Sequence, residues 1–432
     1  MKVIKTKEKI NPFGGLNFIL DSLYKNRIPE LVDEKLGKRP HQADYKYSDI
    51  LLNLWSIFFC GGDCAEDLQE HLKPHFERVP YLNPSSPDTL LRGVQSLKTS
   101  NMEYTATGKS HVFNQNQLLA GLNLDMLKKL GLLKANEAYT LDYDNVVVET
   151  EKKDARNTYR KEKGYIPGVA TIDDRLVYLE NRNGNSDAQT YQSDTLARMF
   201  TLFQKKNLSI ANFRADSASY QFGVIDQVRK HCRRFYIRTR NTENVLERIG
   251  EIQRWGTITY NRQKLEIAST TMTPFKRSRW KPNKAQLEPY RLVVVREPRA
   301  DGQTNIHTGQ AYVYRAILTN DFHSSDEVVF RFYNKRGGQE REFDVMHNDF
   351  GWGNLPFSYL NENGAFMHLM AMCRNLYTFL IRGFSQVVPY LQPSYRLKKF
   401  IFRFVMAASK WVRTSRMDKL KLYASKKYPP SD

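Results

Sequence analysis

Cysteine is nearly missing from this chain: four thiols, Cys60, Cys64, Cys232 and Cys373, are spread over 432 residues, too few and too scattered for a disulfide scaffold. They read as reduced thiols. Cys60 and Cys64 precede His71 and His75, but only six residues separate the pairs where a zinc finger leaves about twelve, so zinc is not the expectation. Long apolar runs are missing too. No stretch reaches the roughly 18 apolar residues of a membrane span, and the basic start MKVIKTKEKINPFGG leads into no apolar segment. The expectation is a cytoplasmic protein with no membrane partner. Acids are the minority charge, 46 Asp and Glu against 66 Lys and Arg, for a formal net charge of +20. Such an excess attracts polyanions rather than acidic small molecules, so nucleic acid is the first partner to test.

What is present suffices for a large folded protein. With 41% hydrophobic and 12% aromatic residues, the chain can bury a sizeable core, divided over two to four domains. From Asn11 to about Leu133 the segments YSDILLNLWSIFF, AEDLQEHL and SPDTLLRGVQSL space apolar residues by three to four. Ser86 before Pro87 is a helix start signal. Residues 1–135 are therefore read as a helical domain of the kind that grips DNA ends. The texture changes at Ala138. AYTLDYDNVVVE, GYIPGVATIDD and RLVYLENRNGN read as three strands; DTLARMFTLFQKK is a helix, LSIANFRAD a strand, FGVIDQVRKH a helix and RFYIRTR a strand. That order predicts a mixed α/β core over 136–240. Residues 241–325 read as a β-rich insertion without a helix. Helical periodicity resumes after Tyr333, where 326–388 completes the core and GAFMHLMAMCRNLYTFLIRGF is a buried helix expected to pack on the sheet. The segment 389–432 is strongly basic and reads as a helical tail.

The candidate chemistry lies in carboxylates. On the first strand Asp142 and Asp144 share a face, two acids in an apolar run that are costly to bury without a compensating cation. Asp216 ends the strand LSIANFRA, and strand carboxyl ends in open α/β sheets are where ligands gather. Its neighbour Ser217 reads as a cap for the helix that follows. Glu340 lies about one helical turn beyond Arg336. Carboxylates that converge on a sheet offer hard oxygen ligands for Mg²⁺, and two such ions promote attack on a phosphodiester without a protein nucleophile. The Asp349-Phe-Gly triplet is not a kinase metal motif, since no Gly-rich loop and strand lysine precede it. In the insertion, Lys276, Arg277, Arg279 and Trp280 mix cations with an aromatic ring, a composition suited to holding phosphates and stacking a base. Arg238 and Arg240 alternate on one face of the fifth strand and are candidates to line a DNA channel.

Three short motifs, Asp144-Asn-Val, Arg214-Ala-Asp216-Ser and Tyr333-x2-Arg336-x3-Glu340, in this order and spacing, resemble the insertion-sequence DDE transposases that carry a Tyr-Arg-Glu-Lys signature, in particular the Bacteroides-type branch of DDE group 1. The resemblance runs from about Asn11 to Val388. It implies a ribonuclease H-like core interrupted by the β-rich insertion, and two Mg²⁺ or Mn²⁺ ions held by Asp144, Asp216 and Glu340. It implies a DNA transposase that cuts at terminal inverted repeats and joins the 3′-hydroxyl to target DNA, as a homodimer on double-stranded DNA. A bacterial, nucleoid-associated setting follows. Tyr333 and Arg336 match positions that hold the DNA backbone. Where the signature has lysine, seven residues past Glu340, this chain has His347. Asp142 stays open as an alternative first ligand. The rival readings are a metal-dependent nuclease or recombinase without strand transfer, and a catalytically decayed DNA-binding relative.

Overall fold

The front of the chain follows its apolar periodicity. In the computed structural model, which describes all residues except 5–6, 41–42, 107, 135–136, 276–287, 416 and 430–432, helices α1 (Leu16–Lys25), α2 (Ile28–Leu36), α3 (Tyr47–Phe59) and α4 (Pro87–Gln95) share one core. Ser86 caps α4 by accepting the Thr89 N–H, and Pro87 sits in the first turn, where a missing N–H costs nothing. The helical reading of the front fails at one place. β1 (Met102–Ala106) and β2 (Lys109–Asn114) form a hairpin before α5 (Gln117–Lys129), and β2 adds to the central sheet.

The core elements arrive in the expected order: β3 (Ala138–Asn145), β4 (Gly168–Ile172), β5 (Arg175–Arg182), α6 (Gln192–Lys205), β6 (Ser209–Ala215), α7 (Phe222–His231) and β7 (Cys232–Arg238). β3 ends at Asn145, sooner than the Val-rich run suggested. Val148–Glu149 instead pairs with 163–165 in a small three-stranded sheet. β3, β4 and β5 run antiparallel, whereas β6 lies parallel to both β3 and β7.

The region 241–325 contains a short helix that the sequence reading missed, α8 (Glu243–Gly250), and then β8 (Gly256–Tyr260), β9 (Gln263–Met272), β10 (Tyr290–Pro298) and β11 (Tyr312–Thr319). These strands do not interrupt the sheet but lengthen it, because β11 pairs antiparallel with β7 through Tyr236–Thr319. The result is one eleven-stranded sheet in the order β1-β2-β5-β4-β3-β6-β7-β11-β10-β9-β8.

Helix returns earlier than Tyr333. Ser325 accepts the Val328 N–H and starts α9 (Asp326–Asn334), followed by a tight turn at Lys335–Gly337, α10 (Gly338–Asp349) and α11 (Leu360–Val387). α11 packs on β5 as expected, with Asn375 Oδ1 accepting the Leu176 N–H at 3.0 Å. No described helix is long and apolar enough to cross a membrane. The tail corrects the sequence reading. A short helical turn over Leu397–Phe400 and Ile401–Val405 gives way to a two-stranded ribbon, β12 (Ala408–Thr414) and β13 (Met417–Tyr423). Ser409 and Trp411 face the protein while their neighbours face out, a period of two that a helix cannot satisfy.

Candidate active site

Parallel pairing of β3 with β6 builds the site. The register runs Asp142–Arg214 and Tyr143–Ala215, which leaves Asp144 and Asp216 as the next residues at the carboxyl ends of neighbouring strands, the position at which open α/β sheets collect ligands. Asp144 is held from two sides: Oδ1 accepts the Asn145 N–H at 2.9 Å and Oδ2 accepts from Arg336 Nη2 at 2.8 Å. Asp216 accepts the Ala218 N–H at 3.0 Å and so caps the turn Ser217–Ser219; the turn is braced by Gln192, which donates to Ser219 Oγ. The cap is Asp216 itself, where the sequence pointed to Ser217.

Glu340 comes from the other side, in the first turn of α10, where a carboxylate is favoured by the helix dipole. It is exposed and takes no hydrogen bond or salt bridge among the described residues. Its field still reaches the strand ends. The Asp144 carboxyl is pushed up to about 6, chiefly by burial; Arg336 opposes the rise, and Asp216 and Glu340 add to it. The three acids thus form one electrostatic group. Among the described residues Arg336 is the cation in direct contact with it, and its Nε is buried without a partner there. Tyr333, in the last turn of α9, donates its hydroxyl to Ala215 O at 3.3 Å, one residue before Asp216. Burial raises this phenol, while Arg336 and Arg238 hold it back.

Asp142 belongs to a different structure. It is 5% exposed, and both its oxygens accept from Arg214, from Nε and Nη2 at 2.6 Å each. Arg214 also donates to Phe332 O and lies over the Phe332 ring. The pair therefore ties α9 to the strands below and engages both oxygens of Asp142. Two residues in this scaffold escaped the sequence reading. Arg214 was read only as part of a motif, and Gln339, 3% exposed, donates to Asp142 O at 3.3 Å and Val169 O at 3.5 Å. Both partners lie far away in sequence, so no local signal marks them.

Arg240 Nε donates to Ser217 O at 3.1 Å, beside Asp216, and Arg238 ends β7 near Tyr333. His347 lies two turns beyond Glu340 on α10, about 10 Å along the axis. It lines a separate cavity with Phe58, Gly62 and Asn354 and touches none of the acids. Lys276, Arg277, Arg279 and Trp280 lie outside the described residues. Of the thiol and histidine set, Cys60 is buried and Cys64 exposed, and among the described residues neither groups with His71 or His75 as metal ligands.

The family described as transposase DDE domain, group 1, matches residues 27–431. No curated protein matches. Seven solved chains match. One is a piggyBac transposase in a synaptic complex with hairpin DNA, determined by cryo-electron microscopy; it shares 10% identity at a TM-score of 0.43, over 92% of this chain and 79% of that one.

Proposed function

The chain belongs to the group 1 DDE-domain transposases, a family of metal-dependent DNA-transposition enzymes, and from that membership we propose that it cuts DNA at the ends of an insertion sequence and joins the freed 3′-hydroxyl to target DNA. The reading is supported by Asp144 and Asp216 at the ends of adjoining strands, with Arg336 on Asp144 and Glu340 close enough to act on the Asp144 carboxyl. The order β5-β4-β3-β6-β7, three antiparallel strands followed by two parallel ones, supports a ribonuclease H-like core.

The donor set fits a divalent cation. Three carboxylates offer hard oxygens, and the buried Asp144 carries a proton affinity well above the usual carboxylate range, which a nearby cation would relieve. Asp144, Asp216 and Glu340 would hold Mg²⁺ or Mn²⁺, as two ions in our reading; bound there, the metal supplies Lewis-acid polarisation of phosphate oxygens and eases deprotonation of the attacking hydroxyl. Asp142, saturated by Arg214, takes no part as a ligand. Arg336 balances the charge of Asp144 and orients a backbone phosphate, and Tyr333 would join it by turning its hydroxyl from Ala215 O to the phosphate. Arg238 and Arg240 add positive field beside the strand ends, on the path of a DNA strand. His347 is not part of this group. Residues 1–135 are proposed to hold terminal inverted repeats, and 136–240 with 326–388 to perform the chemistry on double-stranded DNA. A homodimer handles two ends together.

The test is an assay with labelled terminal-repeat DNA and Mg²⁺. Cutting plus joining is the expected result. Asp216→Asn and chelation of the metal each abolish both steps and leave DNA binding intact. Cutting alone identifies a nuclease, and binding without cutting identifies a decayed relative.

A further inference from the structure

We propose that the lysine face of the terminal ribbon is a docking surface for the phosphate backbone of duplex DNA, an inference that rests on the DNA-acting function proposed above. In β12 and β13 successive side chains alternate between two faces. One face turns inward. Trp411 Nε1 donates to Asn17 Oδ1 at 3.0 Å, and a Cβ on Gly14 would meet both Ser409 Cβ and Leu422 Cδ2 at 2.8 Å. The ribbon therefore lies flush on the start of α1 and is fixed there, its strand edge joined to Asn11 by two backbone hydrogen bonds with Ser409 at 2.8 Å.

The outward face carries Lys410, Lys419 and Lys421. The register sets Lys410 directly opposite Lys421, and Val412 opposite Lys419 two residues along. Like charges directly opposed across an antiparallel pair destabilise it. Nothing within the ribbon compensates. Its single acid, Asp418, lies on the inward side opposite Arg413, and none of the three lysines forms a salt bridge among the described residues. A row of phosphates is the partner that turns this repulsion into attraction, and a two-stranded ribbon has the width to follow a DNA groove. Contacts of this kind fix position on the duplex rather than read its sequence. Exposed Lys7 and Lys9 precede Asn11, which is joined to the ribbon edge.

The experiment measures how binding of the full-length protein to a short labelled duplex of random sequence depends on salt. Each phosphate contact contributes about 0.9 to the slope of log K against log salt. The triple variant Lys410→Gln, Lys419→Gln, Lys421→Gln should lose roughly 2 to 3 of that slope. A control triple of the same charge, Lys25→Gln, Lys35→Gln, Lys163→Gln, whose lysines each sit beside an acid, should keep the wild-type slope. If the triple variant does not fold, Lys419→Gln alone, at a fully solvent-facing position, should lose about 0.9. An unchanged slope in folded ribbon variants overturns the proposal while leaving the transposase reading in place. So does an equal loss in the control, or tighter lysine-dependent binding to phosphatidylserine vesicles than to the duplex. A wild-type chain that binds no duplex at any salt overturns the functional reading as well.

Discussion

The two acids of β3 sit two residues apart on one strand and do opposite work. Asp142 is paired on both oxygens and buried with Arg214, so Asp142→Asn leaves a buried guanidinium without its counter-charge. Breaking a buried pair in this way costs about 3–5 kcal/mol. Asp144 is paired with Arg336, but its carboxyl is raised to about 6 by burial, so the neutral amide relieves a poorly solvated charge that offsets part of the lost ion pair and costs less than at Asp142, yet it removes a charge from the group around which the chemistry is proposed. The expected outcome is a double dissociation. Asp142→Asn lowers the urea midpoint and spares cutting in whatever fraction remains folded; Asp144→Asn lowers the midpoint by less and abolishes cutting. A destabilised Asp144→Asn with normal cutting would reverse the assignment. The sequence placed both acids on one face but could not separate them, because the residue that distinguishes them, Arg214, reaches Asp142 across a parallel register that leaves no local trace.

At the scale of elements, the position of Asp144 depends on how closely β4 can approach β3. Gly168 opposite Asn145 is where the approach is tightest: a Cβ there would lie 2.2 Å from Tyr143 Oη. The Tyr143 ring is fully buried and its hydroxyl has no partner among the described residues, so it has nowhere to move. Gly168→Ala should cost about 1–3 kcal/mol through overpacking and reduce cutting by shifting the end of β3. Tyr143→Phe removes the orphaned hydroxyl and should be neutral or stabilising. The double variant should regain much of the stability and cutting lost by Gly168→Ala, which thermal unfolding and the end-cutting assay would both register. The core elements were legible because their apolar patterns are long and regular. The β1–β2 hairpin and the terminal ribbon were not. In the ribbon, two seven-residue strands of alternating character are overlaid by lysine and arginine, and charge density hid the period of two carried by Ser409, Trp411, Leu420 and Leu422. In β1 and β2 the strands are short, and they sit among helices whose pattern dominated the surrounding sequence.

Across the whole molecule, the insertion is continuous with the central sheet, although its composition marked it as a separate unit. The junction explains why. Asp321, 1% exposed, accepts from the Tyr236 hydroxyl at 2.9 Å and from Ser324 Oγ at 2.6 Å, while Arg291 on β10 donates to its carbonyl. One residue thereby joins β7 of the core, β10 of the insertion and the turn just before α9, the helix that leads to Tyr333, Arg336 and Glu340. Burial pushes its carboxyl up, but the donors from Ser324, Tyr236 and His323 outweigh it and hold the group at about 2. A pKa below the unfolded value means that its stabilisation is complete above about pH 4 and is lost as pH falls through 2. If the sheet is one cooperative unit, native-state hydrogen exchange will give the amides of β10 and β11 the same opening free energy as those of β6 and β7. Asp321→Ala should lower protection in both sets together at neutral pH, and the gap between variant and wild type should close as pH approaches 2. Separate opening of β10 and β11 at lower free energy would instead make the insertion an independent domain, and the placement of Glu340 would then have to be explained without it.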